Sequence, residues 1–218
     1  VSPDRELVLV GAGGFAREVA DLVVALNDAG PHRIRLLGAV ADPLPEDGLM
    51  EARGVPVLGG LAELKAMPAS VEYVVAIGNG DVRRRIVAEL GDRTAATLVH
   101  PNAYVGGQVE IGPGAIICSH ASVTSDITIG AHAHVNLNCT IGHDARIEEY
   151  ATLSPLVGIS GYVVIGAGAT LGTGAVVIPH VTVGAGATIG AGASVVRDIP
   201  PHCTAVGVPA KVISAPTP

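Results

Sequence analysis

Aromatic residues are nearly absent from this chain: it has no tryptophan, one phenylalanine and four tyrosines in 218 residues, although 49% of those residues are apolar. An ordinary globular core of this size recruits several large rings for the area they bury. The apolar content here is Val, Ile, Leu and Ala, accompanied by 29 glycines. That combination points to a core too narrow for rings and a backbone full of tight turns. Cysteine is scarce as well. Cys118, Cys139 and Cys203 are too few and too scattered for a disulfide framework or a zinc knuckle, and they fit a reducing cytoplasm. Basic residues are outnumbered, 13 Lys and Arg against 20 Asp and Glu, for a formal net charge of −7. Such a balance gives no general attraction to nucleic acid or an acidic membrane, so a phosphate-bearing ligand would need a local site. No apolar run approaches the roughly 18 residues of a membrane span. The opening residues Val1-Ser2-Pro3-Asp4-Arg5-Glu6 predict no leader of the basic-then-apolar kind.

What is present is a repeat. Stepping by six from Val99, an aliphatic residue recurs at Val105, Ile111, Ile117 and onward without a break to Val195, seventeen places in all. Four positions after each comes a small or aliphatic residue, among them Ala115, Ala121, Ala133, Cys139, Ala145, Ala151, Ala169 and Ala175. A period of six fits neither a helix nor an alternating strand. It fits short strands joined by sharp corners, each presenting one aliphatic and one small side chain inward, with Gly and Asn supplying positive φ at the corners. Three hexapeptides make a coil of 18 residues, so the stretch predicts about five coils of a triangular β prism.

Residues 1–98 lack this period. Leu7–Val10 reads as a buried strand, followed by Gly11-Ala12-Gly13-Gly14 and a helix with Val19, Leu22, Val23 and Leu26 on one face. A second strand is expected near Leu36–Val40, ending at Asp42. A third covers Tyr73–Ile77 and meets Gly78-Asn79-Gly80-Asp81 and a helix of Val82, Ile86, Val87 and Leu90. Strands alternating with helices predict a small Rossmann-like α/β domain with a parallel sheet. The glycines between strand and helix can receive a phosphate on the helix amides, or simply turn. Asp42 can meet a ribose hydroxyl, or cap a turn.

Of eight histidines, His143 is followed by Asp144, a carboxylate able to orient the imidazole and favour its protonated form. The other reading is a solvated corner residue. Gly161 lies 18 residues on, one coil above His143, which places its N–H about 4.8 Å away as a candidate oxyanion donor, or makes it one more turn glycine. Cys139 falls in the inward small-residue slot, where a thiol is inert.

Taken together, Gly11-Ala12-Gly13-Gly14 with Arg17-Glu18-Val19, Ala76-Ile77-Gly78-Asn79, His100-Pro101-Asn102-Ala103, and Asn136-x-Asn138-Cys139-x-Ile141-x-His143-Asp144 resemble the NeuD/PglD-type sugar acyltransferases of the hexapeptide-repeat superfamily. The resemblance covers nearly the whole chain and implies a left-handed β-helix. It implies a nucleotide-sugar-binding domain over 1–98, an acyltransferase domain over 99–200 and a tail over 201–218 beside the CoA site. It further implies acetyl-CoA as co-substrate, His143 and Asp144 as the catalytic pair, and Gly161 at the thioester. Gly11, Gly13, Gly14, Asp42, Asn79 and Asn136 would contact a nucleotide-linked sugar, and Ala210 and Lys211, in Val208-Pro209-Ala210-Lys211, would lie at CoA. A homotrimer with sites shared between prisms follows from the same resemblance. The chain departs from it at Phe15-Ala16, where many members have His-Gly, at Ala41-Asp42, where several carry paired acids, and at Thr152, where some carry a second histidine. No metal is expected, since no two histidines have the five-residue spacing of the zinc-holding relatives. The implied reaction is acetyl transfer to a sugar amine. Its rivals are O-acetylation of a sialic-acid-type sugar and a non-catalytic scaffold.

Overall fold

The computed structural model describes residues 5–30 and 33–214, and the chain divides between Pro101 and Asn102 into two compact units. His32 lies outside the described residues.

The first unit runs β1 (Arg5–Val10), α1 (Gly14–Ala29), β2 (Ile34–Val40), a short 3-10 turn (Glu51–Arg53), β3 (Val57–Gly59), α2 (Leu61–Ala66), β4 (Glu72–Val75) and α3 (Gly80–Leu90). The strands form one parallel sheet in the order β3-β2-β1-β4. Leu7, Val8, Leu9 and Val10 are all buried, as a strand covered on both faces requires. The second strand begins earlier than its apolar run suggests, at Ile34, and the last ends at Val75 rather than Ile77. Neither β3 nor α2 was expected from the sequence. At three and six residues they are too short for a periodicity to declare itself.

The second unit is the triangular prism. Its strands are two or three residues long and lie in parallel sheets with partners 18 residues apart, as in Thr128↔Arg146, His134↔Thr152 and Thr140↔Gly158. From Ile117 to Val195 every residue of the aliphatic series is buried, and so are the alanines and Cys139 four places on. Side chains of one to four carbons fill the prism axis, which is why rings are missing. The fourth position of each hexapeptide, from Gln108 to Gly192, has φ between 55° and 71°. Glycine and asparagine were expected there. Nine of these fifteen corners hold other residues, namely Gln108, His120, Asp126, His132, Asp144, Tyr150, Leu156, Tyr162 and His180. Their conformation is imposed by a ladder in which corner amides donate to carbonyls one coil below, such as Asn138 to Ser119 and Leu156 to Leu137 at 3.2 and 3.0 Å. The register changes at the end. Val183 pairs with Ile199 and Thr188 with Thr204, an offset of 16, and Thr204–Val206 then pairs antiparallel with Lys211–Ser214.

Candidate active site

In the first unit, the C-terminal ends of β1, β2 and β4 open onto a cavity of about 700 Å³. This is where the strand order reverses, the place where open α/β sheets bind ligands. Its lining includes Gly11 to Phe15 after β1, Val40 to Pro43 after β2, Ala76 to Gly78 after β4, and Arg85 and Glu89 from α3. Gly11 has φ +116°, and a Cβ there would lie 2.9 Å from the Ala76 carbonyl oxygen, so the two strand ends approach as only glycine allows. Gly13 is the N-cap of α1 and provides no side-chain cap, which leaves first-turn amides for an anion. Asp42 is on the cavity wall. Asn79 is not among the lining residues. Its Oδ1 accepts from the Val82 N–H at 3.0 Å, capping α3, and Gly78 takes the place at the wall.

Two arginines, one at this cavity and one behind its wall, went unnoticed in the sequence. Arg85 supplies a cation at the wall. Arg83 is fully buried and donates from Nη1 to the carbonyls of Ile77 and Gly78, both at 2.9 Å. It thus holds the β4–α3 loop that shapes the cavity. The available signal was its position: residues 83, 86, 87 and 90 form one helix stripe, apolar everywhere but at its first place.

In the prism, strand Thr140–Ile141 runs through Gly142 into a corner formed by His143 and Asp144. The His143 Nδ1 lies 2.7 Å from Asp144 Oδ2. The His143 side chain is 57% exposed, so a ligand can reach its other nitrogen. One coil above, Gly161 has no positive φ, so it is not a turn glycine in the conformational sense. A Cβ at Gly161 would meet His143 Cε1 at 2.8 Å and Nε2 at 2.9 Å. The imidazole lies where a side chain would be. Among the described residues the Gly161 N–H donates to no protein acceptor, while its neighbours Ser160 and Tyr162 donate to Val177 and His143. The corner therefore joins an oriented imidazole to a spare backbone donor.

Other sequence candidates go elsewhere. Asn136 sits one prism face earlier, and its Nδ2 donates to the Leu153 carbonyl at 2.9 Å, tying two coils. Thr152 is buried at 6% in register with His134. Burial pushes the Cys139 thiol up to about 11, and its Sγ lies 3.2 Å from the Ser154 carbonyl oxygen, so no thiolate forms at neutral pH. His120, His132, His180 and His202 are positive-φ residues. Ala210 donates to the Ser194 carbonyl at 2.7 Å, and Lys211 is exposed. Ser194 is three strands along the face that carries Thr140, which puts the tail about 14 Å from the level of that strand. Among the described residues no three His, Cys, Asp or Glu side chains cluster as metal ligands.

Comparison with known proteins agrees with both halves. The PglD N-terminal domain model matches residues 6–90, and the bacterial transferase hexapeptide model matches residues 162–197. The PerB structure from Caulobacter crescentus, in complex with CoA and GDP-perosamine, is 32% identical, with a TM-score of 0.85 over 96% of this chain and 97% of that one. The chain belongs to the PglD-type sugar acetyltransferases. The acetyltransferase domain of PglB from Neisseria gonorrhoeae, bound to acetyl coenzyme A, is likewise 32% identical with a TM-score of 0.83, over 97% of this chain and all of that one. Two curated relatives are 35% identical: the UDP-N-acetylbacillosamine N-acetyltransferase of Bacillus subtilis (strain 168) and the GDP-perosamine N-acetyltransferase of Escherichia coli O157:H7. The matches span 51% and 58% of their own lengths. The fold is the PglD-type one, a small α/β unit followed by a left-handed β-helix.

Proposed function

We propose that this chain is an acetyl-CoA-dependent N-acetyltransferase acting on a nucleotide-linked amino sugar. The observation that carries this reading is the His143–Asp144 pair with its imidazole packed against Gly161. The relatives described as N-acetyltransferases support it. With Nδ1–H donated to Asp144, the Nε2 lone pair is free to take a proton from the sugar amine as it attacks the thioester carbonyl. The tetrahedral oxyanion is held by the Gly161 N–H. Collapse breaks the C–S bond, the amide product leaves, and the CoA sulfur takes the proton from His143. No acyl-enzyme forms, in keeping with buried cysteines.

The first unit holds the nucleotide, with phosphates at Gly11, Gly13 and Gly14 and the ribose at Asp42, while Asn79 and Arg83 shape the wall from behind. Ala210 and Lys211 flank CoA on the prism. Acetyl-CoA and nucleotide-linked sugars are cytoplasmic metabolites, which sets the compartment; no helix among the described residues is long and apolar enough to cross a membrane.

The test is thiol release from acetyl-CoA with UDP-, dTDP- and GDP-linked 4-amino sugars and sialic acids, with wild type and His143→Ala. Turnover with one amino sugar, lowered about a thousandfold by the substitution, is expected. Release with hydroxyl acceptors alone would replace the reading by O-acetylation. Silence across the panel would leave a binding or scaffold relative.

A further inference from the structure

The edge of the prism that carries His143 continues upward in a column of side chains, each one coil of 18 residues above the last: Asp126, Asp144, Tyr162 and His180, all at φ between 58° and 63°. Tyr162 is the one bulky residue of this column, in a conformation that Tyr150 and Leu156 share at other corners. Aspartate, asparagine and histidine tolerate this region, whereas a bulky aromatic there is an outlier. The left-handed conformation costs about 1–2 kcal/mol for a residue with a side chain. The Tyr162 ring is half exposed at 51%, so core packing does not account for it. Its partners do. The ring meets the His143 imidazole edge to face, centroids 5.2 Å apart at 88°. It stacks flat on His180 above, 4.8 Å at 8°. Its backbone N–H donates to the His143 carbonyl at 3.0 Å.

The hydrogen bond to Asp144 holds the imidazole at Nδ1, and small swings about the side-chain torsions still tilt Nε2. Gly161 supplies a floor against which the ring lies. Tyr162, edge to face with the imidazole, bounds that swing from another side. We propose that Tyr162 is a positioning residue for the general base, held in place by its stack on His180. This rests on the reading of His143 as that base. Tyr162 touches neither substrate nor thioester in this assignment. It sets the aim of Nε2, the quantity to which a near-attack geometry is most sensitive.

The experiment uses the full chain, with the acceptor that the panel identifies. Tyr162→Gly and Tyr162→Asn install the residues most at ease at positive φ, so melting temperature should hold or rise in both. Turnover at saturating substrates should fall by about tenfold or more, with both KM values within about twofold. Tyr162→Phe keeps the ring and should restore turnover to within about twofold. His180→Ala should cause a smaller loss in the same direction, and Tyr162→Gly/His180→Ala should be no worse than Tyr162→Gly, as expected for residues acting through one contact. Wild-type turnover in both Tyr162→Gly and Tyr162→Asn overturns the proposal, and so does turnover that merely tracks melting temperature. A loss in Tyr162→Phe equal to that in Tyr162→Gly assigns the role to the hydroxyl and also overturns it. His143→Ala, assayed beside them, separates the two readings. If it is active, the base assignment falls. If it is inactive while Tyr162→Gly is normal, only the positioning role falls.

Discussion

At the scale of single residues, glycines in this prism serve two different ends. Gly168, Gly174, Gly186 and Gly192 take positive φ, a backbone need shared with histidine, aspartate and tyrosine at equivalent corners. Gly161 serves clearance instead. The sequence placed its N–H beside His143 by counting coils, and that count holds. What it could not supply is the direction of the imidazole, which fills the space of the missing Cβ. The consequence is a separable prediction. Gly161→Ala should leave stability unchanged or raise it by about 0.4–1 kcal/mol, because its φ suits alanine. Turnover should drop by about ten- to a hundredfold as the imidazole is displaced. Parallel melting curves and kinetics decide the matter: unchanged turnover would mean that the ring moves aside without cost.

At the scale of elements, legibility followed length and repetition. Seventeen aliphatic positions in register state the prism many times over, so no single ambiguous residue could mislead. β1 and α1 were legible because four consecutive apolar residues and a helical stripe flank the glycines. β3 has three residues and α2 six, and both take their form from the neighbours they pack against. The β4–α3 loop shows the same limit from the side of the site. Asn79, a ligand by the family resemblance, caps a helix, while Arg83, which no motif singles out, is fully buried. Replacing Arg83 with Met strands two carbonyls that it satisfies, and should cost about 2–4 kcal/mol of stability. Chemical denaturation should show that loss together with weaker nucleotide-sugar binding. Full affinity with normal stability would show that the loop holds itself.

At the scale of the whole molecule, the two residues that the family resemblance assigns to one acceptor site, Asn136 and His143, lie on different edges of the same prism. Neighbouring copies that bring those edges together would let both serve one acceptor. The prism also exposes Tyr104, Leu156, Val176 and Ile178, between 41% and 62% accessible, apolar side chains that a neighbouring copy can cover. A homotrimer would do both. Light scattering should return a mass about three times that of the 21.8 kDa chain at micromolar concentration, and Val176→Asp should shift it toward monomer with loss of activity. A monomeric and fully active wild type would remove the shared site.

The shift from an 18- to a 16-residue offset at the last coil has a meaning beyond geometry. A stack of parallel strands is by nature unfinished: its upper rim offers unpaired amides and carbonyls, a template on which another chain could add without limit. The shortened coil brings Pro200 and Pro201 to that rim, where proline has no N–H to offer. The strand Lys211–Ser214 then runs backward along Thr204–Val206, capping one face with chain of opposite direction. A solenoid that ends this way cannot continue into a neighbour by its own rule of growth, and so a fold built by repetition closes as a discrete particle rather than a fibre.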